Sequence, residues 1–319
     1  MNARTRPGVP WRRAVLAVIA ASGLALGAAT AAAEPGHPSA VRAATGTKAV
    51  RGPAVNACDP TASSLRPSGP PQVTPGSFMA KIRTRGYLIA GVDQSTYHFG
   101  FLNPLSGQIE GFDIDMIRAV AKAIFGDPGK VQFKAISDDQ RIPDTADGTV
   151  DIVAHTMTIT CDRLKLIDFS SVYFQAQQKV LVLKTSHAAS LAALRGQKVC
   201  ATTGSDSVDT IHAAGAIPVQ VPYWTDCLVK LQQNDVAAVS TDDSILDGLA
   251  AQDPWTKIIG LGLTKEPYGL AISKQHPEFV RFVNAVLAQL RADGQWKSIY
   301  QQWLGTPPKG GAPQAQYAD

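Results

Sequence analysis

Short apolar segments of strand character alternate with helical segments along most of the chain, and this alternation is what most restricts its fold. The predicted strands form two sets, the first at 87–92, 132–136 and 151–154, and the second at 179–183, 196–201, 219–221 and 236–239. Amphipathic helical segments lie between them, for example from Ile114 to Ile124. Strands that alternate with helices are typical of βαβ units and a largely parallel sheet. Because the pattern begins again after Tyr173, the sequence predicts two α/β lobes.

The N-terminal segment has the features of a secretory signal. Residues 1–33 contain four arginines and no acidic residue, are uncharged from Ala14 onward, and end in three alanines. A basic start, an apolar run and small residues at the end predict a signal peptide cleaved after Ala33. An uncleaved membrane anchor is the alternative, because the uncharged run is almost long enough to span a bilayer.

The charge of the chain gives no indication of a nucleic-acid partner. The formal charge of +4 comes entirely from the four arginines of the signal, since the remaining residues include 26 basic and 26 acidic ones. A basic patch or stripe, which nucleic-acid binding requires, is not evident in the sequence. We therefore expect partners among small molecules and proteins.

The segments that flank the two predicted lobes have no apolar periodicity. Residues 34–76 are rich in Pro, Ala, Gly, Ser and Thr, which predicts a flexible N-terminal arm. Residues 306–319 are predicted to be a disordered tail. Because no lipobox precedes a cysteine at the end of the signal, the expected location is secreted or at the cell surface.

Four cysteines in an exported chain predict two disulfides, for which three pairings are possible. Cys200 ends a predicted strand and Cys227 begins a helix in the same region. Cys58 lies in the arm, and Cys161 lies in a threonine-rich turn. We therefore predict the pairs Cys200–Cys227 and Cys58–Cys161. The spacing is not that of a zinc site, and we predict no metal and no cofactor.

The stretch 151–170 predicts a binding site. It reads as a short buried strand, a turn with hydroxyls at Thr156, Thr158 and Thr160, an isolated Arg163, and an apolar run that ends at Phe169. Open α/β sheets bind ligands at the carboxyl ends of their strands, and a guanidinium matches a carboxylate. We therefore expect a small carboxylate here. The alternative for Arg163 is a surface salt bridge.

This stretch resembles the T-I-T-x-x-R…F-S-x-x-Y signature of the bacterial extracellular solute-binding proteins, family 3, which bind polar amino acids. The matching residues are Thr158-Ile159-Thr160, Arg163, Phe169-Ser170 and Tyr173. Further segments resemble the family in the same order, at 107–115, 202–207, 240–243, 266–272 and 294–305. The resemblance implies the type II fold of periplasmic binding proteins, in which two α/β lobes are joined by a two-strand hinge. Lobe 1 would comprise residues 77–173 and 270–305, and lobe 2 residues 174–269.

The resemblance also implies a set of ligand contacts. Arg163 would bind the α-carboxylate of the ligand, assisted by Thr158 and the backbone at Asp206. Asp242 and the carbonyl of Thr156 would bind the α-ammonium group. The side chain of the ligand would be contacted, by positional match, by Asp93, Thr96 and Thr202. An aromatic wall would come from Tyr97, Phe99 or Phe101, and the alternative for Phe99 and Phe101 is a place in the hydrophobic core.

Three acidic positions have alternative interpretations. Asp206 departs from the family, which usually has a neutral residue there. Its carboxylate would repel that of the ligand unless it turns away to cap the following helix. Asp242 could likewise cap a helix. Asp113, at the start of a helix, is predicted to stabilise the helix N-terminus by its charge.

The predicted function is extracytoplasmic binding of glutamate, aspartate, glutamine or asparagine by closure of two lobes, with delivery to an ABC permease. No cation is evident near Thr202, so acids and amides remain equally open. We expect a monomer that is not an enzyme. One alternative is a ligand-sensing partner of a signalling membrane protein. The other is a secreted cyclohexadienyl or arogenate dehydratase-like enzyme, which would need His98, His155 or Asp93 as acid or base.

Overall fold

The computed structural model describes residues 58–319, so the predicted signal and most of the N-terminal arm lie outside the described residues. Within this range the helices are α1 Phe78–Arg85, α2 Phe112–Phe125, α3 Arg141–Ala146, α4 Ser207–Ala213, α5 Trp224–Gln232, α6 Asp243–Gln252, α7 Pro277–Ala292 and α8 Gln295–Leu304. The strands are β1 Leu88–Val92, β2 Ser95–Thr96, β3 Gly100–Leu102, β4 Ile109–Glu110, β5 Val131–Ala135, β6 Ile152–Ala154, β7 Asp168–Phe169, β8 Phe174–Leu183, β9 Lys198–Thr202, β10 Ile217–Val221, β11 Ala238–Asp242, β12 Thr256–Ile259, β13 Lys265–Tyr268 and β14 Ala271–Ile272.

Lobe 1 is built on a five-stranded sheet of order β5-β1-β6-β14-β7. Its first three strands are parallel, as the alternation of strands and helices predicts. Helix α2 packs against this sheet because its apolar residues recur every three or four positions, and Ile114, Ile117 and Ile124 are all buried. The helix ends at Gly126, whose φ of 78° provides the left-handed cap. Helices α7 and α8 complete the same hydrophobic core.

Lobe 2 is built on a second sheet of order β10-β9-β11-β8-β12. Strands β10, β9 and β11 are parallel, and β8 runs antiparallel to β11 and β12. The Cys200–Cys227 disulfide joins β9 to α5 inside the core of this lobe. The second disulfide joins Cys58 to Cys161, so both predicted pairings are confirmed.

Two antiparallel strands join the lobes. Strand β13 pairs with the first part of β8, with Tyr268 opposite Phe174 and Lys265 opposite Gln177. Strand β14 then returns the chain to the sheet of lobe 1. The predicted two-lobed α/β fold with a two-strand hinge is therefore confirmed.

The terminal segments lie against lobe 1. The N–H of Ala318 donates to the carbonyl of Ser64 at 2.9 Å, and Arg281 pairs with Asp319 at 2.6 Å. The arm residue Leu65 packs on the core of lobe 1. Composition predicts disorder for residues 306–319, whereas the structure places this segment beside the arm. These contacts join positions far apart in the chain, so local composition carries no signal for them. Among residues 58–319, no helix has the length and apolarity needed to cross a membrane.

Candidate functional site

The carboxyl ends of strands from both sheets meet at the cleft between the lobes. His155 and Thr156 follow β6 in lobe 1, whereas Thr202 and Asp242 are the last residues of β9 and β11 in lobe 2. Polar side chains are rarely fully buried unless they have partners. The buried polar residues of this region are Asp93, Thr96, Asp138, Arg141, His155, Thr156, Thr158, Arg163, Thr202, Thr241, Asp242 and Glu266. The cleft is therefore a polar site inside the protein.

Arg163 reaches from lobe 1 to lobe 2. Its Nη1 donates to the carbonyl of Thr158 at 2.7 Å, and its Nη2 donates to the carbonyl of Gly204 across the cleft at 3.3 Å. The carboxylate of Asp206, also in lobe 2, lies 3.5 Å from Nη1. Only 7% of Arg163 is exposed, so the alternative of a surface salt bridge does not describe it.

Asp242 lies on the opposite wall of the cleft and is 4% exposed. It accepts a hydrogen bond from the hydroxyl of Tyr268 at 2.5 Å. Burial is the main cause that raises the pKa of Asp242 well above its usual value, and the charges of Asp206 and Glu266 add to it. Asp242 stands at the N-cap position of α6, but its side chain makes no capping hydrogen bond, and the neighbouring Asp243 accepts from the N–H of Ser244. A cation placed beside Asp242 would offset the cost of keeping its charge buried.

Asp113 is hydrogen-bonded to Thr156, which follows strand β6. Its Oδ2 accepts from the N–H of Thr156 at 2.8 Å, and its Oδ1 accepts from the hydroxyl of Tyr173 at 2.7 Å. Thr156 has a φ of 42°, which is unusual for a β-branched residue and needs such support. The sequence predicted only that Asp113 stabilises the N-terminus of α2. In the structure it also links α2 to the end of β6.

The buried state of Asp113 leads to a pH-dependent stability. Burial raises its pKa to about 6, although hydrogen bonds from Tyr173 and Thr156 act in the other direction. Between pH 4 and 6 the folded protein keeps a proton that the unfolded chain has released, so the free energy of unfolding falls as the pH rises. Relative to Asp113→Asn, the wild type should lose up to about 3 kcal/mol between pH 4 and 7, measured by urea unfolding.

The same experiment has an internal check at Tyr173. Its hydroxyl favours the ionised form of Asp113, so Tyr173→Phe should extend the pH-dependent window upward. Parallel pH profiles for the wild type and Asp113→Asn would contradict this account.

Arg141 is a second buried cation that sequence reasoning did not assign to the site. It is 3% exposed, and its Nη1 lies 2.8 Å from Asp138. Its Nη2 donates to the carbonyl of Gly204 at 3.3 Å, so both arginines meet the same carbonyl of lobe 2. The hydroxyl of Thr202 also crosses the cleft to Asp138. The only local signal is the spacing of Asp138 and Arg141 at i and i+3, which is common on helices.

Gly204 allows the lobes to approach each other closely. Its φ of 84° lies in the left-handed region, and a Cβ built there would come within 2.7 Å of Asp139 Cα in lobe 1. Gly248 in α6 plays a similar part, since its Cβ would lie 2.9 Å from the carbonyl oxygen of Tyr97. A side chain at either position would hold the lobes apart.

Asp93 and Thr96 lie at the cleft, but their polar groups are bound to each other. Asp93 Oδ1 accepts from the N–H of Gln94 at 2.6 Å and of Ser95 at 2.8 Å, and its Oδ2 accepts from the hydroxyl of Thr96. This turn stabilises the loop after β1. Direct contact of either residue with a ligand remains a prediction.

Phe99 lies in the core of lobe 1 and not on an open wall of the cleft. It is fully buried, and its ring packs edge-on against Phe112, Phe174 and Tyr268. Apolar packing with the hinge strands accounts for this position. Tyr97, with 37% exposure, is the neighbouring aromatic residue that faces lobe 2.

Of the residues named for an acid–base role, Asp93 and His155 have other partners. His155 Nε2 lies 3.0 Å from the carbonyl of Ile136, and burial lowers the pKa of His98. In the part of the chain that the structure describes, no group of three His, Cys, Asp or Glu side chains could hold a metal ion.

Comparison with known proteins places the chain among binding proteins. The family described as bacterial extracellular solute-binding proteins, family 3, matches residues 88–306. The ABC transporter glutamine-binding protein GlnH of Bacillus subtilis is 38% identical over 233 residues, which are 72% of this chain and 85% of that protein. The glutamine-binding protein of Geobacillus stearothermophilus is 36% identical, with coverage of 64% and 79%.

Solved structures show the same architecture. An ancestral arginine-binding protein bound to glutamine superposes with a TM-score of 0.65 and 35% identity, over 69% of this chain and 99% of that one. An ancestral amino-acid-binding protein described as a precursor of cyclohexadienyl dehydratase gives a TM-score of 0.66 and 31% identity, with coverage of 71% and 99%.

Proposed function

The chain belongs to the bacterial extracellular solute-binding proteins of family 3, and on this premise we propose that it binds glutamine between its lobes for delivery to an ABC permease. The observation that carries the proposal is the pair of opposite charges on the two walls of the cleft. Arg163 belongs to lobe 1 and Asp242 to lobe 2, and both are buried. An α-amino acid carries the complementary carboxylate and ammonium groups.

The mechanism follows from the position of these groups on different lobes. A ligand that contacts Arg163 and Asp242 together gains both interactions only when the cleft is closed. The ligand therefore shifts the population toward the closed form by its differential affinity for that form. Strands β8 and β13 form the hinge about which the lobes move. The closed surface is the form that the permease would recognise.

The balance of charge in the cleft disfavours an anionic side chain in the ligand. Among residues 58–319, five carboxylates lie in or beside the cleft, whereas two arginines are buried there. The carboxylates are those of Asp93, Asp138, Asp206, Asp242 and Glu266. Arg141 is already paired with Asp138 at 2.8 Å, so its charge is largely compensated. An anionic ligand side chain would add to the surplus of negative charge, whereas an amide adds none.

The relatives support glutamine among the amides. Two of the similar proteins are named for glutamine binding, and a similar solved structure was determined with glutamine bound. Glutamine also has two donors and an acceptor at the end of its side chain, which can match the hydroxyls and carboxylates around Thr202 and Asp138.

A panel of the twenty amino acids tests the proposal. Protein that begins at Glu34 should show its largest thermal shift with glutamine, and calorimetry should give a glutamine affinity about tenfold or more above that of glutamate. Equal or tighter binding of glutamate would contradict the charge argument, and equal or tighter binding of arginine would contradict the choice of glutamine. No shift with any amino acid would contradict the function. Consumption of prephenate or arogenate by the same preparation would instead favour an enzyme.

A further inference from the structure

The carboxylate of Asp206 occupies a position that the proposed function leaves unexplained. Asp206 directly precedes α4, where an aspartate commonly caps a helix. Its side chain makes no capping hydrogen bond here, and its Oδ2 lies 3.5 Å from Nη1 of Arg163 in the opposite lobe. This distance leaves no room for another group between the two atoms.

Asp206 also affects the other charges of the cleft. Burial is the main cause that raises the pKa values of Asp242 and Glu266, and the charge of Asp206 is the next largest cause for both. The charge of Asp206 therefore repels those of Asp242 and Glu266. A ligand carboxylate that approaches the guanidinium of Arg163 must enter this field of negative charge.

The guanidinium of Arg163 is already engaged on both sides. On its own lobe it donates to the carbonyl of Thr158, and across the cleft it meets the carbonyl of Gly204 and the carboxylate of Asp206. A ligand carboxylate can form a two-pronged pair with Arg163 only if Asp206 moves away or shares the guanidinium.

We infer that Asp206 is an internal competitor of the ligand carboxylate for Arg163, and that the same contact draws the lobes together before a ligand binds. The inference rests on the proposed function as far as it concerns ligand affinity. Its second part concerns the protein alone. Asp206 thus lowers the affinity of the protein for its ligand, and a neutral side chain at this position removes the competition.

Two measurements on Asp206→Asn test the inference. The isosteric amide keeps the size of the side chain and removes its charge, so the Kd for glutamine should tighten about three- to tenfold. Small-angle X-ray scattering without ligand should give a larger radius of gyration than for the wild type, because a cross-lobe ion pair is lost. Asp206→Ser serves as a second neutral variant if the amide folds poorly.

Asp209→Asn is the matched control, since Asp209 is an exposed carboxylate in the first turn of the same helix. It removes the same charge from α4 without touching Arg163, and we expect both readouts to stay at wild-type values. Glutamine binding by Asp206→Asn that equals or falls below the wild-type affinity would overturn the inference, as would an unchanged radius of gyration. If the wild type binds no amino acid, the proposed function fails, and scattering alone decides the inference.

Discussion

Replacing Arg163 with alanine should almost abolish amino-acid binding. The guanidinium is buried between the lobes and, under the proposed function, pairs with the α-carboxylate of the ligand. Without it, that carboxylate would be desolvated in the closed cleft with no cationic partner. Loss of one member of a buried charge pair typically costs about 2 to 5 kcal/mol. The Kd measured by calorimetry should therefore weaken roughly 30- to 5,000-fold.

Lys165→Ala is the control for this variant. Lys165 lies in the same short turn as Arg163, but it is exposed and pairs with Asp162 at the surface. Its removal should leave the affinity unchanged, since exposed pairs contribute little. A change of less than about threefold in Arg163→Ala, in protein that still unfolds cooperatively, would contradict the assigned role of Arg163.

Replacing Gly204 with alanine should prevent full closure of the cleft. The added Cβ would lie 2.7 Å from Asp139 Cα and 2.9 Å from its backbone nitrogen. Both contacts are to backbone of the opposite lobe, which cannot turn aside as a side chain can. The lobes would have to separate, and the ligand would lose part of its contact with one wall. We expect the affinity for glutamine to fall by more than about tenfold, a loss of about 1.4 kcal/mol or more.

Gly196→Ala separates closure from backbone strain. Gly196 has a φ of 74°, similar to that of Gly204, but nothing lies within 4 Å of its added Cβ. Both variants should lose about 1 to 2 kcal/mol of stability, because alanine is disfavoured in the left-handed region. In the presence of glutamine, only Gly204→Ala should give a larger radius of gyration than the wild type in small-angle X-ray scattering. Equal affinities of the two variants would show that the approach of Gly204 to Asp139 does not limit closure.

Asp206 and Asp113 illustrate why residue identity alone did not reveal the roles of charged groups. Both aspartates stand at the start of a helix. The sequence predicted a helix-terminal role for Asp113, and for Asp206 a ligand contact through its backbone with the side chain turned away to cap the helix. In the structure Asp206 faces Arg163 of the other lobe, and Asp113 binds Thr156 and Tyr173. A local pattern shows where a carboxylate lies along the chain, but its partners come from other elements.

Periodicity was sufficient to predict two α/β lobes, because the alternation of strands and helices and its return after Tyr173 depend on near neighbours in sequence. The two-strand hinge came from the resemblance to the family. A carboxylate partner for Arg163 was expected from its position after a predicted strand, and the role of Asp242 from the resemblance; both roles stay predictions. Only the tertiary structure brought Arg141 to Gly204, 63 positions away, and Thr202 to Asp138, 64 positions away. Such contacts form because the two lobes approach each other. The periodicity of the sequence within one lobe carries no information on its distance from the other lobe.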